Sequence, residues 1–284
     1  MPALVKNQID DRALPHDEME EFAAHARRMA TRRAATARTK AIVAGIVGAA
    51  VFLFAWQSLT LFGIAEPEFV SDPLSVLREF ISMLGDPEVW ANVRETTIAA
   101  TAAMIVGSLA GVATAVLFWR YASIRRGLNP FITVLNALPR PALAPIFIMW
   151  FGLGVAPKIL VGASVVYFVL LLNTLAGFAN VQPDVRTLSD SLRIGPNRRL
   201  FLIELPAALP TIVAGLRLGA VYAVLGVIVS EIVASFAGLG QMLTIATNSF
   251  DITRAFAILI FTAGVAVLLD AAVSILQRFT PGAK

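Results

Sequence analysis

Residues 184–210, DVRTLSDSLRIGPNRRLFLIELPAALP, form a charged, helix-forming segment between two long apolar runs. The flanking runs, 159–179 and 209–234, carry few charges. A chain that is only anchored in a membrane has no obvious need for a basic segment at this place. The segment therefore predicts a contact with a partner that lies outside the apolar part of the protein. The kind of partner has to be inferred from the rest of the chain.

The composition is that of an integral membrane protein. Hydrophobic residues make up 57% of the 284 residues and charged residues 15%, whereas soluble domains carry about 25% charged residues. There is no cysteine, so disulfides, thiol catalysis and cysteine-ligated metals are excluded, and both histidines lie near the N-terminus. We expect no metal and no cofactor. The net charge of +4 is better explained by membrane topology than by binding of nucleic acid.

Six runs are long and apolar enough to cross a bilayer, and backbone groups in lipid must be satisfied within the run, which favours helices. The runs are 41–64, 96–119, 128–153, 159–179, 209–234 and 255–277. The sequence therefore predicts an all-α integral membrane protein with six transmembrane helices.

The third run is irregular because it contains Pro139, Pro141 and Pro145. Proline removes a backbone donor and kinks a helix, and in a membrane such breaks need compensation from neighbouring protein or water. We expect this helix to face the protein interior, and an ordinary kinked structural helix is the alternative.

Lysine and arginine are distributed unequally between the two sides. Seventeen lie in the N-terminal tail, the connection after the second run, the 184–210 segment and the C-terminus, against four in the other connections. The positive-inside rule then places both termini and the 184–210 segment in the cytoplasm. We expect a cytoplasmic tail at 1–40 with an amphipathic helix, and a membrane domain at 41–284 that includes a cytoplasmic loop at 184–206.

Charged residues inside the apolar runs are costly and usually paired or functional. Arg217 and Asp270 lie at matching depths in the fifth and sixth runs, so we predict a structural ion pair between them. Arg140 can reach the interface or donate to carbonyls freed by the prolines. Glu231 is a candidate to line a cavity or a gate, with an interfacial carboxylate as the alternative.

Two neutral polar residues of the fourth run, Tyr167 and Asn173, are further candidates for a translocation path. Catalytic patterns are missing: there is no GxxxxGK[ST] loop, no HExxH and no nucleophile–histidine pair. We therefore predict that the chain is not an enzyme and that any ATP hydrolysis takes place in a separate subunit.

Within the polar segment, apolar and charged residues alternate at helical spacing from 185 to 193, and Gly195-Pro196-Asn197 predicts a turn. A second short helix is predicted from Arg198 to Glu204, with its end at Leu205-Pro206. The segment thus predicts a pair of helices joined by a turn, with an apolar side and a basic side.

The glycine at 195 and the stretch ELPAALPTIVAGLRLG that follows resemble the cytoplasmic coupling loop of bacterial ATP-binding-cassette import permeases, which carries an EAAxxxG pattern and a later Leu-Pro. Similarity extends to ALPRPALAPIFIMWFGLG at 137–154, SEIVASFAGLG at 230–240 and the last run. Over roughly residues 90–278 the chain resembles the branch that serves nitrate, sulfonate, taurine and related small anionic or heteroaromatic solutes.

This resemblance implies the type I fold of these importers, in a multi-pass protein of the bacterial inner membrane. Two copies would form a homodimer around a central path, with an ATP-binding-cassette ATPase subunit under each coupling loop. A periplasmic or lipid-anchored solute-binding protein would deliver the solute. The ATPase-docking residues implied by the match are Ser189, Asp190, Ser191, Gly195, Arg198, Arg199, Phe201, Leu205 and Pro206.

The match departs from the family pattern at the EAA triplet. Ser189, Asp190 and Ser191 occupy its positions, so the glutamate is lost, and the candidates to replace it are Asp190 and Glu204. Two other functions stay open at this point. An ion-gradient-driven secondary transporter would show inverted repeats and carboxylates at mid-membrane, and a purely structural subunit would need neither the broken third helix nor the loop.

Overall fold

The computed structural model describes residues 16–64 and 66–278, and its regular elements in these residues are helical. A 3-10 turn at Arg140–Leu143 precedes the sixth α-helix, and a π-helical turn at Leu200–Glu204 joins the ninth to the tenth. The α-helices are α1 (His16–Leu61), α2 (Pro67–Val70), α3 (Pro73–Met83), α4 (Pro87–Arg120), α5 (Ala122–Ala137), α6 (Ala144–Phe151), α7 (Val155–Ala179), α8 (Pro183–Ser191), α9 (Pro196–Arg199), α10 (Leu205–Val233), α11 (Leu239–Asn248) and α12 (Ile252–Arg278).

Contacts divide the chain into two units, Met1–Ile64 and Ala65–Lys284. In the first unit, α1 contains an apolar stretch, Thr39–Leu61, that is long enough to cross a membrane. The predicted boundary between tail and membrane domain, at residue 40, lies inside this single helix. The predicted amphipathic face of the tail depends on side chains at 16–38, which lie outside the described part of the structure.

Among the described residues, five helices are long and apolar enough to span a bilayer, and the pair Ala122–Ala137 and Arg140–Phe151 makes a sixth if it counts as one broken span. The predicted all-α architecture of six spans is therefore confirmed. Each of the six corresponds to one of the apolar runs of the sequence, and most extend beyond the predicted limits.

The third span is broken more sharply than a kink, because its two halves meet at 93°. Leu138 has an extended backbone with ψ of 134°, as the residue before a proline prefers. The expectation that this span faces the protein interior stays a prediction for the assembly, because the single chain leaves most of the span exposed. No residue of α5 is buried, and in α6 only Ala144 is.

The core of the second unit lies where α4, α7 and α10 pack together. Small side chains allow the close approach, as is usual between membrane helices, and Ala103, Ala163 and Ala223 are among the buried residues. The backbones of α7 and α10 approach closely at two glycines: a Cβ on Gly226 would lie 2.7 Å from the Cα of Gly162. Helices α11 and α12 pack against the α10 side of this core.

The predicted second short helix does not end at Leu205-Pro206. The chain is helical without interruption from Pro196 to Val233. The N–H of Leu205 donates to the carbonyl of Leu200, five residues back, so the helix takes up one extra residue just before Pro206. This wider turn lets the helix continue past a residue that has no N–H to donate.

Candidate functional site

The chain between α7 and α10, called here the connecting segment (residues 183–204), forms a short helical hairpin. Pro183 and Pro196 open its two α-helices at first-turn positions, where a missing N–H costs nothing. The reversal follows α8 and depends on Arg193, whose φ is +52°. The N–H of Ile194 donates to the carbonyl of Ser189 at 3.0 Å and so closes the end of α8.

Two hydrogen bonds join the connecting segment to the end of α4. Trp119 Nε1 donates to Oε2 of Glu204 at 2.8 Å, and Arg120 Nε donates to Oδ1 of Asn197 at 2.7 Å. The Trp119 ring also stacks on Phe178 of α7, with ring centroids 5.2 Å apart. The segment is therefore hydrogen-bonded to the end of α4, and the stacked ring of Trp119 joins this contact to α7.

Glu204, a candidate to replace the missing glutamate, is buried with 3% exposure. It accepts from Trp119 and lies 3.4 Å from Nε of Arg199, so in this structure it anchors the segment to its own chain. The other candidate, Asp190, has a side chain that is 68% exposed and contacts Nη1 of Arg199 at 2.7 Å. Of the two, Asp190 is the one that a partner can reach.

The remaining docking candidates divide between surface and interior. Ser189 does not lie at the surface, because its Oγ donates to the carbonyl of Val185 and the residue is 2% exposed. Arg199 and Leu205 are half-buried. The exposed candidates are Ser191, Gly195, Arg198, Phe201 and Pro206.

The three residues expected along a path are not brought together. Tyr167 packs edge-to-face on Phe168 within α7, and Asn173 Nδ2 donates to the carbonyl of Val169. Glu231 lies near the far end of α10 and has no exposed surface. Polar groups of neighbouring helices enclose its carboxylate, so Glu231 is not the interfacial carboxylate that was the alternative, and its expected role at a cavity or a gate stays a prediction.

The carboxylate of Glu231 is bound from three sides. Thr96 Oγ1 of α4 lies 3.0 Å from each oxygen, the N–H of Gly240 donates at 2.9 Å, and Nζ of Lys158 lies 3.3 Å away. Lys158 also contacts Glu95 at 3.3 Å and donates to the carbonyl of Ala237 at 2.7 Å. This Glu231 cluster joins α4, α7 and α10 at the end of the helices opposite the connecting segment.

The loop between α10 and α11 is held against the Glu231 cluster by backbone donors. The N–H of Gly238 donates to Oδ1 of Asn92 at 2.5 Å, and the N–H of Leu239 donates to Oγ1 of Thr96 at 2.9 Å. Sequence reasoning missed Lys158 and Thr96. Lys158 could have been found by the argument from matching depths that was used for Arg217 and Asp270. It lies in the first turn of α7, at the level where α10 ends.

Arg217 and Asp270, which the sequence pairs by depth, lie together. Nε of Arg217 donates to Oδ1 at 2.9 Å and Nη2 donates to Oδ2 at 3.0 Å. Two parallel bonds of this kind fix orientation as well as distance. They tie α10 to α12.

Arg140 lies at the break of the third span and binds the carbonyls exposed there. Its Nη1 donates to the carbonyls of Asn136 at 2.8 Å and Leu138 at 2.5 Å, and Nη2 donates to Oδ1 of Asn136 at 3.0 Å. The guanidinium also lies over the ring of Phe168, 4.5 Å from its centroid. An arginine at mid-membrane costs about 2.5–3.5 kcal/mol on insertion scales, and these contacts offset part of that cost.

Comparison with known proteins places these features in transport systems. Residues 74–280 match the family described as the binding-protein-dependent transport system inner membrane component. The putative aliphatic sulfonates transport permease protein of Bacillus subtilis is 27% identical over 234 residues, 82% of this chain and 85% of that protein. The taurine transport system permease protein of Escherichia coli is 26% identical over 234 residues, 81% of this chain and 85% of that protein.

A solved structure shares the fold. A chain of the methionine ABC transporter in an inward-facing conformation superposes with a TM-score of 0.61 at 17% identity. The match covers 68% of this chain and 98% of that chain.

Proposed function

Because this chain belongs to the family of binding-protein-dependent transport system inner membrane components, we propose that it is the membrane subunit of an ATP-driven importer for a small anionic solute. The observation that carries the proposal is the family match over residues 74–280, which includes the connecting segment and all helices packed in the core. The family favours an importer over an ion-gradient-driven secondary transporter.

A sulfonate-type or similar anion is the solute class that relatives favour. The names of two relatives refer to aliphatic sulfonates and taurine, and each of these solutes carries a sulfonate group. Nitrate belongs to the same range of small anions. Heteroaromatic solutes are the other part of the range, and failure to take up any of the solutes in the uptake assay below would favour them.

We propose that the connecting segment is the part of this chain that binds an ATPase subunit. Its surface offers an exposed carboxylate at Asp190, an arginine at Arg198 and large apolar side chains at Phe201 and Leu202, which are 58% and 64% exposed. Exposed apolar side chains beside charges are typical of protein contacts. In the assembly we expect two copies of the chain, two ATPase subunits and a periplasmic or lipid-anchored binding protein.

The mechanism follows from the helix that begins in the connecting segment. A rigid helix transmits displacement along its length, and this one runs from Pro196 to Val233, from the segment to the Glu231 cluster. When the ATPase subunits close, the segment would move α10 directly and α4 through Trp119 and Arg120. A rigid-body movement of this kind can switch a path between its two openings.

Uptake by proteoliposomes tests the function. The chain is purified with the ATPase subunit that accompanies it and reconstituted, and the binding protein is added with labelled taurine, methanesulfonate or nitrate. We expect uptake of at least one of these solutes, and we expect it to require ATP. Uptake that follows a proton or sodium gradient and ignores ATP would contradict the proposal, as would an ATPase subunit that fails to copurify.

A further inference from the structure

We propose that Arg140 is the site at which the negative charge of the solute binds inside the membrane, because its guanidinium lies at mid-depth and no carboxylate of the described residues pairs with it. The inference rests on the proposed import function and names the group that selects its substrate class. It concerns a monoanion such as a sulfonate or nitrate, bound by charge and by N–H donors.

Charge balance distinguishes Arg140 from Lys158 and Arg217, two other cations inside the spans. Lys158 contacts Glu95 and Glu231, and Arg217 contacts Asp270. Arg140 contacts carbonyls, an amide oxygen and a ring, and within the described residues no carboxylate lies in ion-pair distance of it. A charge in the membrane interior is normally paired or faces a water-filled path. The missing negative charge is one that a solute can supply.

The depth of Arg140 follows from its contact with Phe168. Helix α7 runs from Val155 to Ala179, so Phe168 lies 13 positions after its first residue and 11 before its last. The guanidinium lies 4.5 Å from the centroid of this ring. Arg140 is therefore about equally far from the two ends of α7, which favours a position near mid-membrane.

The backbone around Arg140 has the form expected beside a path. The chain breaks at Leu138 and turns by 93°, and non-helical backbone at membrane depth occurs where it is covered by protein or lines a water-filled cavity. Among the described residues no side chain of α5 is buried, and Leu138 at the break is 40% exposed. Broken membrane helices are also where many transporters bind their substrates.

The guanidinium is held by three hydrogen bonds, and two of its N–H groups have no acceptor among the described residues. Three of its N–H groups are used by Asn136 and Leu138. Its Nε, shielded from solvent, donates to no acceptor in the described part of the chain, and Nη2 has a second N–H. A planar guanidinium with free N–H groups on adjacent nitrogens matches the two oxygens of a sulfonate or nitrate.

A helix cap is the simpler role that the same contacts would allow. Arg140 could act only by satisfying the carbonyls at the end of α5. A cap stabilises the helix for every solute alike, whereas an anion site discriminates between a charged solute and a neutral one of the same shape. Methanesulfonate and dimethyl sulfone form such a pair, since a methyl group replaces one oxygen.

The experiment is calorimetric titration of the permease–ATPase complex in nanodiscs with methanesulfonate, nitrate and dimethyl sulfone. For the wild type we expect binding of at least one anion and a clear preference over the sulfone. In Arg140→Gln we expect anion affinity to fall roughly ten- to a hundred-fold, the range for a lost bond to a charged group, with the sulfone unchanged. Arg140→Lys keeps the charge and should retain an intermediate affinity.

The control removes another intramembrane cation together with its partner, in Arg217→Gln/Asp270→Asn. We expect anion binding in this variant to match the wild type. A wild type that binds none of the anions, or an Arg140→Gln complex that binds them equally well, would overturn the anion site. If Arg140→Gln does not assemble, the Lys variant decides: an anion affinity equal to that of the wild type would mean that Arg140 is only a cap, and the intermediate affinity expected above would support the site.

Failure of this site is distinguishable from failure of the import function. ATP-dependent uptake with anion affinity independent of Arg140 would remove the site and leave the importer standing. Anion binding through Arg140 in a complex that ignores ATP would support the site and contradict the importer.

Discussion

Nζ of Lys158 lies 3.3 Å from Oε1 of Glu231, and the two side chains are 4% and 0% exposed. The pair joins the beginning of α7 to the end of α10. Because Glu95 lies at the same distance from Nζ, this one ammonium group pairs with two carboxylates. The bundle is therefore held at one end by this ion cluster and at the other by the bond between Trp119 and Glu204.

The first prediction concerns loss of the cation. Lys158→Met keeps the length of the side chain but leaves Glu231 buried without its cation, and breaking a buried pair in this way costs about 3–5 kcal/mol. We expect a large drop in the thermal midpoint of the detergent-solubilised protein, followed by tryptophan fluorescence. Glu231→Gln in the same chain should recover part of the loss. Equal midpoints for the single and double variants would contradict the role of the pair.

The second prediction concerns Gly238, which has φ of +112° and whose Cβ would overlap the carboxylate of Glu231. A non-glycine residue in a strained backbone region costs about 1–3 kcal/mol, and the overlap adds to it. We expect Gly238→Ala to lower the thermal midpoint clearly. The matched control is Gly264→Ala, where a Cβ meets nothing within 4 Å, and we expect an unchanged or slightly higher midpoint. Equal effects of the two substitutions would contradict the packing described here.

The spans and the Arg217–Asp270 contact could be predicted from the sequence because both depend on one-dimensional quantities. Run length determines which stretches can cross a bilayer, and depth along two helices determines which charges can meet. The position of the sharp break at Pro139 could be predicted from the sequence, but its angle could not, since proline removes a hydrogen bond without setting the angle that results.

The burial of Glu231 could not be predicted, because it depends on residues far apart in the chain. Thr96 lies 135 positions from Glu231 in the sequence, and Gly240 lies 9 positions from it. Nothing in the local sequence pattern links either residue to Glu231. The helix that continues through Pro206 was missed for a different reason. A π turn leaves no clear mark in the spacing of apolar residues, so proline was expected to end the helix.

The third prediction concerns coupling. Trp119→Phe keeps a ring to stack on Phe178 but removes the donor to Glu204, whose buried carboxylate then loses a bond worth about 1.5–3 kcal/mol. We expect the reconstituted importer to hydrolyse ATP at a rate near that of the wild type while solute uptake per ATP falls. Uptake and hydrolysis are measured in the same vesicles. Trp150→Phe is the matched control, since Trp150 is 70% exposed in α6. An unchanged ratio in Trp119→Phe would exclude this bond from force transmission.

The fourth prediction tests the ion pair between α10 and α12. Arg217→Asp leaves two acidic side chains facing each other, and Asp270→Arg leaves two arginines. We expect each single variant to assemble poorly, as judged by the yield of monodisperse protein after gel filtration. The exchanged pair Arg217→Asp/Asp270→Arg should restore most of the yield, because opposite charges again meet. A double variant no better than either single one would show that each side chain has separate partners in the assembly.

The last prediction concerns orientation, and the absence of cysteine from the chain makes it simple to test. Leu192→Cys places a thiol at the end of α8, and Phe250→Cys places one between α11 and α12; the native side chains are 64% and 72% exposed, so both sites are open to a reagent. If the excess of lysine and arginine places the connecting segment in the cytoplasm, a membrane-impermeant maleimide will label the Phe250 site once only the outer membrane is permeable. The Leu192 site will react only after the inner membrane is opened. The reverse order would invert the topology, and the ATPase could then not reach the connecting segment from the side where ATP is found.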